Sequence, residues 1–175
     1  GNSLVVAVAV TALATGIGSL GAVALVRLDF RAKRAFWALV VAPLTVPWLV
    51  LGISLLFMYS TIGVVPDLHT VVGGQLVFVV PVVVFTVGAR LRGVDRALEE
   101  AARDLGAGEW AVYRRVTVPL LMPGIVSGAL FAFGLSFNDF LIAFFTSGIK
   151  NTFPVWLFAT LSRGNVYVTY AASAL

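Results

Sequence analysis

Glu99-Glu100-Ala101-Ala102-Arg103-Asp104-Leu105-Gly106, continued through Val116-Thr117-Val118-Pro119, is the one extended polar island in a chain of 175 residues. With Asp95 and Glu109 it holds five of the eight acidic residues. Around it the chain is 60% hydrophobic and only 11% charged, with a mean hydropathy of +1.02. A soluble domain carries about 25% charged residues. A helix rising about 1.5 Å per residue needs about 20 apolar residues to cross about 30 Å of hydrocarbon. The blocks on both sides of the island pass that test, so the expected fold is all-α: a polytopic transmembrane helix bundle in a lipid bilayer, with the island held outside it.

Outward from the island, residues 3–26 form an uncharged run long enough to span. Within it Gly16-Ile17-Gly18-Ser19-Leu20-Gly21 matches G-x-G-x-x-G. A dinucleotide site needs a preceding strand and an acid about 20 positions on, and Asp29 comes too soon. The small residues Ala14, Gly18 and Ala22 read instead as a close-packing helix face. Residues 27–34 bring four cations against one acid. Residues 35–59 are expected as a second span, kinked at Pro43 and Pro47. Residues 60–69 contain no Lys or Arg, residues 70–89 form a third span containing Gln75 and Pro81, and residues 90–118 carry six arginines. Two basic loops flanking one without cations place the island in the cytoplasm. A fourth span is expected over 119–145, redirected into the membrane by Pro119 and Pro123 and carrying Gly124 and Gly128 at G-x-x-x-G spacing. An outer interfacial helix follows over 153–163, and the start of a last span over 167–175.

Composition excludes several chemistries. With no cysteine and one histidine, thiol catalysis and a zinc site have no ligands to draw on. The net charge of +4 sits at the ends of apolar runs rather than among exposed aromatics, which argues against nucleic acid. Ser147-Gly148-Ile149-Lys150 fits S-x-x-K but has no companion motif, so a membrane enzyme has no constellation to support it. No G-x-x-x-x-G-K-[ST] is present and neither lysine follows a glycine, so no nucleotide site is expected in this chain.

Within the island, Leu98, Ala101, Ala102 and Leu105 fall at helical spacing and give a small apolar face. Glu99 and Arg103 form an i,i+4 pair in the favourable order, worth about 0.3–0.5 kcal/mol on an exposed helix. Gly106 is placed to end the helix in a left-handed cap, and a second short helix is expected over 109–116. These features suit a docking surface, and they suit an ordinary solvated loop as well. Glu100-Ala101-Ala102, three residues, Gly106, nine residues and Val116-Thr117-Val118-Pro119 resemble the EAA loop of binding-protein-dependent ABC importer permeases. Val replaces the usual Ile and the usual Leu. The resemblance extends over nearly the whole chain. It implies a type I importer permease fold, with Glu99, Glu100, Ala101, Ala102, Leu105 and Gly106 as the coupling element that docks on a cytoplasmic ABC ATPase dimer. It also implies a second permease subunit, an extracytoplasmic solute-binding protein and an inner-membrane location. ATP and Mg would be bound by the ATPase, so this chain is expected to hold no cofactor. By the family register the first span and most of the last are absent from the sequence.

Ser136-Phe137-Asn138-Asp139-Phe140 is similar to the spermidine/putrescine branch, in which an acidic pair often stands where this chain has Asn138 and Asp139. A carboxyl group in a span is a functional candidate. Phe137, Asn138, Asp139 and Phe140 are therefore a candidate substrate pathway, with aromatic faces for a cation. Asp139 is also about 30 Å along a straight helix from Pro119, where it would be solvated at the outer interface. Opine, iron or thiamine permeases, and a secondary transporter independent of ATP, are the competing expectations.

Overall fold

The computed structural model describes residues 1–163, and these are helical with connecting turns. The expected start of a last span over 167–175 lies outside the described residues. The elements are α1 (Asn2–Arg27), α2 (Lys33–Thr45), α3 (Trp48–Thr61), α4 (Leu68–Arg92), α5 (Ala97–Asp104), α6 (Glu109–Val112), a π-helical turn (Tyr113–Thr117), α7 (Val118–Asn138), α8 (Leu141–Thr146) and α9 (Phe153–Ser162). Among the described residues, three helices are long and apolar enough to cross a membrane: α1, α4 and the continuous run Glu109–Asn138.

The three long helices pack on one another through small residues. A Cβ on Gly18 would come within 2.6 Å of the Val83 side chain, and one on Gly124 within 2.7 Å of Arg90. Removing those side chains lets α1 and α7 approach α4, which is what membrane helices do in place of hydrophobic collapse. Leu4, Val8, Leu13, Leu20, Leu130 and Phe131 stay exposed, as expected of surfaces that face hydrocarbon.

Hydrogen bonds assign the two poles. Asn2 donates to the Asn151 carbonyl at 3.0 Å, and Lys150 meets Asp67 at 2.9 Å, so α1 and α4 begin at the same pole. Arg27 meets Glu99, and Arg90 Nε donates to the Leu120 carbonyl at 3.0 Å, so both end where α7 begins. That second pole gathers ten of the twelve cations: Arg27, Arg31, Lys33, Arg34, Arg90, Arg92, Arg96, Arg103, Arg114 and Arg115.

Three expectations change. The kinked span over 35–59 is two helices, α2 and α3, bent by 107° at the break. Val46, forced extended by the proline that follows it, and Pro47, which has no N–H to continue the ladder, open the break. Pro119 and Pro123 do not redirect the chain. The widened π turn at Tyr113–Thr117 continues directly into α7, with Pro119 just after it. The span over 119–145 stops at Asn138. Asp139 adopts an extended conformation and α8 starts afresh.

Candidate functional site

At the basic pole, α5 ends in the expected tight turn, but the second short helix expected over 109–116 is the start of the continuous run Glu109–Asn138 rather than a helix of its own. Gly106 has φ +84, a conformation that disfavours any Cβ. Gly106 N–H donates to the Arg103 carbonyl at 2.8 Å, and Ala107 N–H to the Ala102 carbonyl at 3.1 Å. This is the paired closure of a Schellman cap, which satisfies helix-end carbonyls otherwise left open. The turn points away from the bundle: Glu100, Ala101 and Gly106 are exposed, Ala102 is half-buried, and Leu105 is 89% exposed. Leu98 and Trp110 extend the exposed apolar surface, with Trp110 stacked on Tyr113 at 5.8 Å. Trp110 was not singled out from sequence. A tryptophan directly after Glu109, within the otherwise charged stretch between two spans, was the available signal.

Glu99 does not share that exposed face. It is buried, pairs with Arg27 at 2.9 Å and accepts a hydrogen bond from Thr117 Oγ1 at 2.9 Å. One carboxylate thus ties α5 to the end of α1 and to the π turn that leads into α7. The expected Glu99–Arg103 pair is absent because Glu99 is turned inward. Arg103 reaches forward instead, Nε to Glu109 Oε1 at 2.6 Å and Nη2 to Oε2 at 3.1 Å, bracing α5 against α6. That guanidinium holds the Glu109 carboxyl below its ordinary value. Between these elements lies a cleft of about 370 Å³, bordered by Arg27, Glu99, Arg103, Glu109, Tyr113 and Thr117.

At the other pole the four residues of the predicted pathway separate. Asn138 is exposed, and its amide returns to the Gly134 carbonyl at 2.9 Å. Phe137 is half-buried and stacks on Phe133 at 5.8 Å. Phe140 packs with Phe144 and Phe158. Asp139 is buried and fully engaged: it accepts from Gln75 Nε2 at 2.9 Å, Ala143 N–H at 3.0 Å and Ile142 N–H at 3.3 Å. It caps α8 and terminates α7. Gln75, buried on α4, also accepts from Ser136 Oγ. Asp139 is therefore not solvated at an interface, whereas Asn138 is exposed and Phe137 and Phe140 are half-buried.

The family described as "Binding-protein-dependent transport system inner membrane component" matches residues 14–174. A spermidine/putrescine transport system permease protein of Haemophilus influenzae is 33% identical over 164 residues, covering 93% of this chain and 64% of that protein. A putrescine transport system permease protein of Escherichia coli K12 is 37% identical over 172 residues, 94% of this chain and 61% of that protein. A diacetylchitobiose uptake system permease protein of Streptomyces coelicolor is 28% identical over 178 residues, 99% of this chain and 64% of that protein. The chain thus spans less than two thirds of the length of each of these relatives. An exposed, glycine-capped helical turn on three packed apolar helices and a match of this extent lead to one conclusion: the chain belongs to the binding-protein-dependent transport system inner membrane component family.

Proposed function

We propose that the chain is a transmembrane permease subunit of an ATP-driven importer that moves a polyamine, putrescine or spermidine, into the cytoplasm. The observation that carries the reading is the α5–Gly106 element, which is stiffened from within by Glu99 and presents Glu100, Ala101, Leu105 and Gly106 outward at the basic pole. The positive-inside rule supports a cytoplasmic position for that pole. There the element would dock on an ATPase dimer that binds ATP and Mg, while a second permease subunit and a solute-binding protein complete the importer. Closure of the ATPases would push on α5. Glu99 would pass that push to α1 through Arg27 and to α7 through Thr117, tilting the bundle as a rigid body.

The polyamine rests on two of the relatives, whose names carry spermidine or putrescine. On this chain it finds aromatic faces at Phe137 and Phe133 and an exposed amide at Asn138. An alkyl diammonium is held by such rings through cation–π attraction. The test is uptake of labelled putrescine and spermidine by the full-length system in cells that lack other polyamine importers. The expected result is ATP-dependent uptake of at least one, abolished by Glu100→Lys or Gly106→Trp. Uptake of neither, or uptake that survives loss of the ATPase and collapses with the ion gradient, overturns the reading.

A further inference from the structure

The seam between α2 and α4 has a polar mouth and an apolar depth. At the basic pole, Leu25, Lys33, Arg34, Trp37 and Arg92 border a cleft of about 360 Å³. Its cations come from the start of α2 and the end of α4. Lys33 is shared with Asp29 at 2.9 Å, but Arg34 and Arg92 have no ion-pair partner among the described residues. The first turn of α2 adds its free N–H groups to the same positive region. Below the mouth, Trp37 packs edge-on against Phe85 at 5.0 Å. Below that ring pair, Leu39, Val40, Pro43, Gly73, Val77 and Pro81 border a second cleft of about 300 Å³. Arg92, Phe85, Pro81, Val77 and Gly73 follow one another at intervals of seven, four, four and four, so one face of α4 runs from charge to hydrocarbon. The same order holds along α2, from Arg34 through Trp37 to Val40.

We propose that this seam is a binding site for an anionic phospholipid, with the phosphate between Arg34 and Arg92 and an acyl chain along the α2–α4 groove. Cations placed only to set topology need no cleft and no apolar continuation. A free anion needs no groove beneath it. An arginine pair that opens onto a tryptophan and then onto hydrocarbon-lined depth matches an amphiphile with a negative head. The proposal rests on the membrane placement of the helices and not on the solute transported.

The full-length transporter is delipidated in detergent and titrated with phosphatidylglycerol brominated on its acyl chains, with brominated phosphatidylcholine and with inorganic phosphate. Tryptophan quenching is read in wild type and in Trp37→Phe. The expected result is saturable quenching by phosphatidylglycerol that is lost in Trp37→Phe, weakened by high salt and weaker for phosphatidylcholine. Arg34→Ala combined with Arg92→Ala should weaken it by roughly 30-fold. The charge-keeping pair Arg34→Lys with Arg92→Lys is measured alongside and should stay within about tenfold of wild type, so a folding defect is recognised as such. Equal affinity for both lipids, or no effect of removing the arginines, overturns the anionic head. Displacement of the lipid by millimolar inorganic phosphate makes this a free-anion site and overturns the lipid. Trp37 untouched by any brominated lipid means that protein covers the seam, which also overturns it.

Discussion

Two buried carboxyl groups, Glu99 at the basic pole and Asp139 at the opposite one, hold the molecule together in different ways. Glu99 has a cation: Arg27 at 2.9 Å, with Thr117 completing its shell. Asp139 has a side-chain amide and two backbone N–H groups, and none of these partners is cationic. The first fastens a surface helix to two membrane helices, so its bonds join elements far apart in sequence. The second ends one helix and starts the next, so its bonds are largely local, with Gln75 as the tie to α4. A buried acid in a transport protein is thus not by itself a solute site. What it bonds to decides whether it transmits, scaffolds or binds.

The largest effect is expected at Glu99. Glu99→Ala leaves Arg27 without its partner, and breaking a buried pair costs about 3 kcal/mol or more. Unfolding of the detergent-solubilised protein should show that loss, and ATPase stimulation by loaded binding protein should fall with it. Replacing both partners, Arg27→Met with Glu99→Leu, should recover most of the stability without the coupling. Recovery of both would show that the pair is only structural and would dissolve the contrast with Asp139.

Next comes Asp139. Asp139→Ala strands Gln75 Nε2 and two amide N–H groups, an effect of about 2 kcal/mol. Asp139→Asn keeps an acceptor for the start of α8 and should lose about 1 kcal/mol. Putrescine uptake by Asp139→Asn should remain within a few-fold of wild type, because the carboxyl group faces Gln75 rather than a passage. Loss of uptake with stability intact would put Asp139 on the pathway and make it a solute contact as well as a helix cap.

Much of this was legible before any coordinates. Run lengths set by bilayer thickness located α1 and α4, the small-residue spacing of Gly18 and Gly124 located their contacts, and Gly106 marked its own cap. The failures share a cause. Glu99 was read on its own helix, where Arg103 is the neighbour four residues on, whereas its real partner is 72 positions away in sequence. Asp139 stood between a solute pathway and a solvated interface because a lone acid in an apolar run has no visible partner, yet Gln75, the one amide in the third run, sits 64 positions upstream and bonds to it. Local spacing sees i,i+4 and cannot see pairs that tertiary packing creates. The Val46-Pro47 break was visible as two prolines, but its size, 107°, depends on what α3 packs against: a Cβ on Gly52 would come within 2.9 Å of Phe145.

A smaller effect tests the turn that Glu99 supports. Gly106→Ala forces a Cβ into a left-handed conformation and should cost about 1–2 kcal/mol, and Gly106→Asn less, since asparagine tolerates that region. Nothing lies within 4 Å of a Cβ at Gly106, so the loss is purely conformational, and the Asn variant should keep ATPase coupling while Gly106→Trp loses it. Equal coupling in all three variants would mean that no partner approaches the turn.

The smallest effect belongs to the exposed pair Arg103–Glu109, and its pH dependence separates it from Glu99. Arg103 holds the Glu109 carboxyl below its ordinary value of 4.5. A depressed folded-state pKa means that the pair stabilises fully above that value, and that the contribution disappears as pH falls through the folded one. Arg103→Ala should therefore differ slightly from wild type in thermal midpoint at pH 7 and low salt, with the difference shrinking as the pH falls below 4.5 and in high salt, where exposed pairs are screened. Asp67, held below 3.8 chiefly by its hydrogen bond to Lys150, should behave with the same sign in Lys150→Ala. A difference between wild type and Arg103→Ala that survives both acid and salt would mean that Arg103 packs the α5–α6 turn through its hydrocarbon stem. The outer surface of the α5–α6 turn would then be held by contacts as firm as those of Glu99 beneath it.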